Sequence, residues 1–169
     1  LKAYGKFIYW QLLNVIDSKE HKVRFLNHSF LLAKKSMKGA TGNIYLGLHE
    51  FPDMGFLLHF LRKNDMFFDV GSNIGSYTVL AAKEAGAHVI AFEPIPSTFQ
   101  VLRKNIELNT ISSLVHSLNV GVGAKTETLV FSENYDTVNH VIPSAQKNSA
   151  TNVIEVPVVA IDEVVVNHC

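Results

Sequence analysis

Short apolar runs alternate with longer amphipathic stretches through the middle of the chain. Met66–Val70 and His88–Phe92 are largely apolar, and residues 113–119 form a third, more mixed run. Runs of this length, bounded by glycine or polar residues, predict buried β-strands. The stretches between them repeat apolar residues at helical spacing, which predicts helices that begin near Ser76 and near Pro96. The order strand, helix, strand, helix, strand predicts an α/β fold with a parallel sheet and right-handed crossovers.

Both predicted helices have an apolar face that suits packing on a sheet. Small residues dominate the first helix, and Gly86 is predicted to end it, because glycine commonly terminates helices. In the second helix Phe99, Leu102 and Ile106 recur at helical spacing, so this face is predicted to be buried. Arg103 lies toward the other face and is predicted to be solvated.

The chain ahead of this unit follows other patterns. Residues 7–16 are apolar and predict a packing helix, since they supply roughly half of the ~20 residues that a membrane span requires. Residues 23–33 mix apolar and polar positions in a way that predicts a pair of strands. We therefore expect an N-terminal extension (1–40) ahead of the main domain (41–169).

A turn cluster at residues 39–42 and a short strand at residues 44–46 are predicted to begin the main domain. Pro52 suits the first turn of a helix, which is predicted to continue to about Lys63. Four apolar residues recur at helical spacing and are predicted to form the core face of this helix: Phe56, Leu57, Phe60 and Leu61.

From Gly121 onward the periodicity changes. Residues 126–131 and 153–161 predict two strands that are separated by polar turn residues and not by a helix, which indicates a hairpin-like insertion. The polar residues between the strands are predicted to be exposed, and a role in substrate recognition stays open because loops on a rigid sheet often carry recognition. They are Tyr135, Asp136, Asn139 and His140.

Composition restricts the classes of partner and compartment. The chain has 169 residues, 47% of them hydrophobic, which is enough for one domain with a core. Its 15 basic and 15 acidic residues form no long run of either sign, so a nucleic-acid partner is not expected. The single Cys169 and the lack of a Cys/His cluster with zinc spacing predict neither a disulfide nor a metal site. We expect a cytoplasmic location and no membrane span in this chain.

The first predicted turn and the end of the second strand have the features of a nucleotide-type cofactor site. Gly71 and Gly75 allow the backbone to turn sharply and to approach a ligand, because neither has a Cβ. The helix N-terminus behind them is expected to offer unpaired N–H groups. Glu93 follows Gly71 by about 20 residues, where an acid in dinucleotide-binding folds accepts hydrogen bonds from ribose hydroxyls. The combined pattern predicts a cofactor that contains adenosine.

Three short motifs resemble those of the FkbM-type S-adenosylmethionine-dependent methyltransferases. Residues 68–78 (FDVGSNIGSYT) resemble the strand-turn-helix motif of that family, residues 92–94 (FEP) its second acidic motif, and residues 105–109 (NIELN) its helix end. The resemblance extends over residues 42–163. It includes small differences, such as Ser72 where the family often has alanine.

This resemblance implies a Rossmann-like parallel sheet with flanking helices, of the class I methyltransferase type, with S-adenosylmethionine as the cofactor. It implies methyl transfer to a hydroxyl oxygen of a sugar, glycan or other small metabolite. The catalytic base stays unknown, because the acceptor-side residues of this fold usually come from later strands. The cofactor-binding residues, of which the last two are placed against adenine by the resemblance only, are Asp69, Gly71, Ser72, Asn73, Gly75, Glu93, Pro94, Asn119 and Val120.

Two other classes of function stay open. A nicotinamide-dependent oxidoreductase is disfavoured, because its motif requires glycines at the positions where this chain has Asn73 and Ser76. A non-catalytic binding module is the other alternative, because the family continues with a strand bearing Lys-x-Asp-x-Glu-Gly and this chain stops at Cys169 before it. We therefore expect the domain to be truncated and the 169 residues to be inactive on their own.

Overall fold

The computed structural model describes residues 20–33, 48, 50–132 and 153–168. Within these ranges the elements are β1 (His21–Arg24), β2 (Phe30–Ala33), α1 (Phe51–Phe60), β3 (Met66–Val70), α2 (Ser76–Val79, continued as a π-helix over Leu80–Ala85), β4 (His88–Phe92), α3 (Pro96–Leu108), β5 (Val115–Leu118), β6 (Gly121–Gly123), β7 (Glu127–Ser132), β8 (Val153–Ala160) and α4 (Ile161–His168). From β3 to β5 the strands and helices alternate, which matches the predicted α/β pattern, and further strands precede and follow this unit.

The central sheet has the order β3-β4-β5, and both strand pairs are parallel. Met66 pairs with His88, and Val89 pairs with Val115, so the three strands end at the same edge. The crossovers are α2 between the first two strands and α3 between the next two. The predicted fold class, a parallel sheet with flanking helices, is confirmed, and β3 and β4 have the predicted bounds.

Helix α2 begins immediately after the glycine turn, with Gly75 in a left-handed conformation at its N-cap. Its second part winds as a π-helix, and Gly86, at φ 73°, ends it as predicted. Leu80 and Ala81 are fully buried, because small and aliphatic residues let this helix pack closely on the sheet. On α3, Leu102 is likewise buried, which confirms the predicted apolar face.

The predicted core face of α1 is partly wrong. Phe56 and Phe60 are 65% and 64% exposed, and their rings stack on each other with centroids 5.4 Å apart. Met54 is fully buried instead, and Leu57 packs against the same core, as does Leu61. These core residues follow helical spacing, but the buried stripe is rotated relative to the predicted one. Large apolar side chains on both faces of α1 made its phase ambiguous in the sequence.

Helix α1 also ends earlier than the predicted Lys63. It ends at Phe60, because Leu61 has an extended backbone with ψ 141°. The Arg62 backbone N–H then donates to the Asp65 side chain at 2.7 Å, which stabilises the turn into β3.

The predicted strand pair near the N-terminus is confirmed, since β1 and β2 pair in antiparallel fashion. Phe25 and Leu31 are buried in the same hydrophobic core as Leu80 and Leu102. The boundary between an extension and a main domain after residue 40 stays a prediction. The predicted helix at residues 7–16 and the turn and strand at residues 39–46 lie outside the described residues. Among the described helices, none is long and apolar enough to cross a bilayer.

A second sheet has the order β6-β8-β7. Strand β8 pairs antiparallel with β7, as expected for the predicted hairpin-like insertion, and it also pairs parallel with β6. The second predicted strand ends at Ala160, and helix α4, which the sequence did not predict, begins at Ile161. Tyr135, Asp136, Asn139 and His140 lie outside the described residues.

Candidate functional site

A cavity of about 260 Å³ lies at the carboxyl ends of β3 and β4. In open α/β folds, ligands bind at this edge of the parallel sheet, outside the carboxyl ends of the strands. Four residues predicted to bind a cofactor line the cavity: Gly71, Asn73, Glu93 and Pro94. Five predicted residues are absent from its lining: Asp69, Ser72, Gly75, Asn119 and Val120.

The turn between β3 and α2 passes three times through the left-handed region of backbone conformation. Gly71 has φ 76°, Asn73 has φ 51° and Gly75 has φ 91°. Glycine adopts this conformation without steric cost, and asparagine tolerates it better than most residues do. The pattern Gly-x-Asn-x-Gly therefore has a direct conformational explanation.

The backbone N–H groups of the turn donate within the protein. Those of Gly71 and Ser72 donate to the Phe92 carbonyl at 2.9 and 3.0 Å, which joins the turn to the end of β4. The Ile74 N–H donates to Asn73 Oδ1 at 2.7 Å. The Gly75 N–H donates to the Ser72 carbonyl at 2.8 Å.

The fifth N–H of the turn, that of Asn73, donates to Glu93 Oε2 at 2.9 Å. All five N–H groups from Gly71 to Gly75 therefore have a partner inside the chain. The neighbouring strand end and side chains accept the bonds that a ligand would otherwise accept. The expectation of unpaired N–H groups concerns the helix N-terminus behind the turn and stays a prediction.

Glu93 connects three elements of the site through its carboxylate. Besides the bond from Asn73, its Oε1 accepts the Ile95 N–H at 2.9 Å, at the beginning of α3. The side chain is 5% exposed. Burial raises the pKa of Glu93, while the N–H groups of Ile95 and Asn73 oppose that rise. The carboxylate thus fixes the turn and the start of α3 relative to β4.

Asp69 lies behind the turn, buried at the end of β3. Its Oδ2 accepts a hydrogen bond from the Thr78 hydroxyl at 2.5 Å, which ties β3 to α2. Burial raises the pKa of Asp69 to about 6, against the lowering effect of the bonds from Thr78. Ser72 is also buried, and its hydroxyl donates to the Phe92 carbonyl at 3.2 Å. Both side chains hold the turn through bonds to neighbouring elements, and neither lines the cavity.

The segment after β5 contacts the backbone of two residues that line the cavity. Asn119 Nδ2 donates to the carbonyls of Glu93 and Pro94 at 2.8 and 3.1 Å. Val120 packs against the apolar cluster around Phe92. Asn119 therefore holds the β4 end in place and is not a lining residue.

The cavity is completed by residues that sequence reasoning missed. Thr98 comes from α3, Val122 from β6 and Phe131 from β7. The sequence offers a local signal for Thr98, which lies in the first turn of α3, shortly after the acidic motif. It offers none for Phe131, because the approach of β7 to the turn depends on pairing in a separate sheet.

Comparison with known proteins gives a consistent result. The family described as "Methyltransferase FkbM domain" matches residues 69–168, which include the turn, Glu93 and the second sheet. The 31-O-demethyl-FK506 methyltransferase FkbM of Streptomyces tacrolimicus is 37% identical over 84 residues, covering 48% of this chain and 32% of that protein. The methyltransferase sdnD of Sordaria araneosa is 34% identical over 80 residues, covering 47% and 31%. The chain thus matches about a third of the length of these relatives.

Among solved structures, P. horikoshii TYW2 in complex with MeSAdo is similar to this chain with a TM-score of 0.53. It is 18% identical, and the similarity covers 71% of this chain and 48% of that one. This likeness supports the fold assignment.

Proposed function

Because this chain belongs to the FkbM methyltransferase family, we propose that it transfers a methyl group from S-adenosylmethionine to a hydroxyl oxygen of a sugar, glycan or other small metabolite. When bound, S-adenosylmethionine supplies a methyl group on a sulfonium, and transfer to a hydroxyl oxygen leaves S-adenosylhomocysteine while the hydroxyl proton passes to a base or to water. The protein's contribution to such a reaction is mainly to hold the two reactants in line.

One observation carries the cofactor assignment: an acidic acceptor faces the cavity while the N–H donors of the turn are already engaged. Phosphate-binding glycine turns use free backbone N–H groups, and from Gly71 to Gly75 each N–H has a partner in the chain. Glu93, by contrast, lines the cavity, and each of its oxygens accepts one bond, so each retains capacity for another. This donor and acceptor set fits a ribose better than a pyrophosphate.

The same observation disfavours a nicotinamide dinucleotide. Its pyrophosphate would require N–H donors that this turn uses internally, and glycines that Asn73 and Ser76 replace. S-adenosylmethionine has a ribose and no phosphate, so the turn does not need free donors for it.

We assign the nine predicted residues two roles within this function. Gly71, Asn73, Glu93 and Pro94 would contact the cofactor, because they line the cavity. The remaining five would hold these contacts in place, through Asp69 and Thr78 behind the turn and through Asn119 beside the β4 end. In this assignment Glu93 binds the ribose and is not a catalytic residue.

The hydroxyl acceptor is the finer part of the proposal. It is supported by the printed name of the Streptomyces tacrolimicus relative, 31-O-demethyl-FK506 methyltransferase, which refers to an oxygen-linked methyl group. It is also consistent with the chain's balanced charge of 15 basic and 15 acidic residues, which favours no nucleic-acid acceptor.

The test is a pair of calorimetric titrations, one with S-adenosylhomocysteine and one with reduced nicotinamide dinucleotide. It is followed by transfer of radiolabelled methyl from S-adenosylmethionine to a panel of hydroxyl and amine compounds, with the full-length protein that contains this chain as the enzyme. We expect binding of the first ligand alone, and label on a hydroxyl oxygen. Binding of the dinucleotide in its place would refute the cofactor assignment. Binding of S-adenosylhomocysteine with label only on nitrogen would refute the hydroxyl acceptor.

A further inference from the structure

Asn105 is a fully buried polar residue in the last turn of α3. Its Oδ1 accepts the backbone N–H of Leu32, in β2, at 2.7 Å. Its Nδ2 donates to the backbone carbonyl of Ile74, in the turn, at 2.8 Å. One side-chain amide therefore joins the first strand pair to the turn that lines the candidate cofactor cavity.

A second asparagine, which directly follows α3, binds the same strand and has no bond to the turn. Asn109 is 2% exposed, and its Oδ1 accepts the Phe30 N–H at 2.8 Å. Its Nδ2 donates to the Phe30 carbonyl at 2.8 Å and to the Asn105 carbonyl at 2.7 Å. The two asparagines thus share residue type, burial and partner strand, and only Asn105 binds Ile74.

The Ile74 carbonyl belongs to the peptide group that also contains the Gly75 N–H. That N–H donates to the Ser72 carbonyl at 2.8 Å, so the rigid peptide plane is held from both sides. Gly75, at φ 91°, follows this plane, and its conformation depends directly on how the plane is oriented. Without the Asn105 donor, the buried Ile74 carbonyl loses this hydrogen bond. A buried carbonyl without a partner is unfavourable, so rotation of the Ile74–Gly75 peptide plane is expected.

We propose that Asn105 is a positioning residue for the cofactor site: through the Ile74–Gly75 peptide it fixes the turn in the conformation that presents Gly71 and Asn73 to the cavity. The inference rests on the proposed cofactor-binding function of that turn. Asn105 does not contact the cofactor, and its effect on affinity passes through the backbone of Ile74. Because the oxygen of the same amide accepts the Leu32 N–H, strand β2 helps to hold Asn105 in the orientation in which it binds Ile74.

The test compares Asn105→Leu with Asn109→Leu in the whole chain. Leucine has a similar size and no hydrogen-bonding group, so both variants lose their bonds to β2 and only the first loses the bond to Ile74. Two quantities are measured below the unfolding temperature of each variant. The first is amide hydrogen exchange at Gly75 in the free protein, and the second is the dissociation constant for S-adenosylhomocysteine.

Loss of one hydrogen bond that holds a binding loop corresponds to about a tenfold change in an equilibrium constant. We therefore expect Asn105→Leu to weaken S-adenosylhomocysteine binding about tenfold and to accelerate Gly75 exchange by a similar factor. Asn109→Leu is expected to lower the unfolding temperature comparably while changing both quantities less than about twofold, because it leaves the turn bond intact. Equal effects of the two variants, or an unchanged Gly75 exchange rate in Asn105→Leu, would overturn the proposal.

If either leucine variant does not fold, Asn105→Asp and Asn109→Asp replace the pair at pH 8. An ionised carboxylate keeps the acceptor for the strand N–H and removes the donor, so the same contrast between the two positions is expected. A wild-type chain that binds no S-adenosylhomocysteine would refute the proposed function, and the exchange rates of Gly75 would still decide whether Asn105 orients the turn.

Discussion

Replacing Glu93 by alanine separates the two roles that the structure gives this side chain. The carboxylate accepts the N–H groups of Asn73 and Ile95, and it also lines the cavity. Alanine removes the acceptor for both N–H groups and the proposed acceptor for a ribose hydroxyl. We therefore expect losses in both folding stability and cofactor affinity.

The stability loss follows from the two orphaned N–H groups. Each buried donor that loses its partner costs about 1–3 kcal/mol. Two such donors give about 2–6 kcal/mol. The Asn73 N–H adjoins the cavity, where water can replace part of the lost bond, so the total is expected in the lower half of that range, about 2–4 kcal/mol. Chemical denaturation of the wild type and Glu93→Ala measures this difference.

The affinity loss comes from the ribose contact. Removing a charged acceptor from a hydrogen-bonded partner costs about 1.5–3 kcal/mol, which corresponds to a roughly ten- to hundredfold increase in the dissociation constant of S-adenosylhomocysteine. The measurement is calorimetry on samples that are folded at the temperature of titration, so that the loss of stability does not enter the dissociation constant.

A double-mutant cycle distinguishes a ribose contact from an indirect effect through the turn. The wild type and Glu93→Ala are each titrated with S-adenosylhomocysteine and with its 2′-deoxyribose analogue. If the carboxylate binds that hydroxyl, the combined loss is smaller than the sum of the two single losses. Simple additivity would show that Glu93 does not bind the 2′-hydroxyl and would remove the main support for an adenosine cofactor.

Three further predictions concern the residues behind and within the turn. The pKa of Asp69 in the folded state is about 6, above its ordinary 3.8. The protonated side chain therefore stabilises the fold below pH about 4, and this contribution to the free energy of unfolding, about 3 kcal/mol, is lost as the pH rises through 6. Asp69→Asn keeps an acceptor for the Thr78 hydroxyl and should remove that decline in the free energy of unfolding between pH 4 and 7; an unchanged slope would assign the decline to other groups. Gly71→Ala adds a Cβ with no neighbour within 4 Å, at φ 76°, so it should cost stability only about 1 kcal/mol while weakening S-adenosylhomocysteine, and unchanged affinity would contradict contact at this position. Gly75→Ala would place its Cβ 2.5 Å from Leu102 Cδ1 at φ 91°, so thermal unfolding should show the larger loss, and a stability equal to that of Gly71→Ala would contradict the packing argument.

Local sequence signals were sufficient for the centre of the fold. Strands β3 and β4 pair in a parallel sheet, where strands appear as short continuous apolar runs, and a glycine turn adjoins each of them. Strand β4 is largely buried, whereas Met66 and Val70 at the ends of β3 are exposed. The turn conformation could also be predicted, because Gly71 and Gly75 occupy left-handed positions that favour glycine. Glu93 could also be identified from local sequence, because its position depends on a short βαβ unit and not on distant parts of the chain.

Tertiary packing decided the features that sequence reasoning missed. Phe56 and Phe60 have the spacing of a core face, but Met54 occupies the interior on the neighbouring stripe of the helix. Phe131 enters the cavity wall because β7 pairs with β8, more than twenty residues further along the chain. Asn105 was part of the motif that resembled a helix end. Its bonds to β2 and to the turn depend on the tertiary structure, because both partners are distant from it in the sequence.

The internal bonds of the turn also determine what its variants can report. From Gly71 to Gly75 each backbone N–H donates inside the chain, and the Ile74 carbonyl accepts from Asn105, so the turn does not need a ligand to satisfy its polar groups. A loop that is ordered before binding loses little conformational entropy when the ligand arrives. Changes in affinity at Gly71 therefore report direct contacts, whereas changes at Asn105 report the order of the turn itself. Changes at Glu93 combine the two, because its carboxylate lines the cavity and also accepts the Asn73 N–H. Hydrogen exchange in the free protein separates these two causes, because only the second accelerates exchange when no cofactor is present.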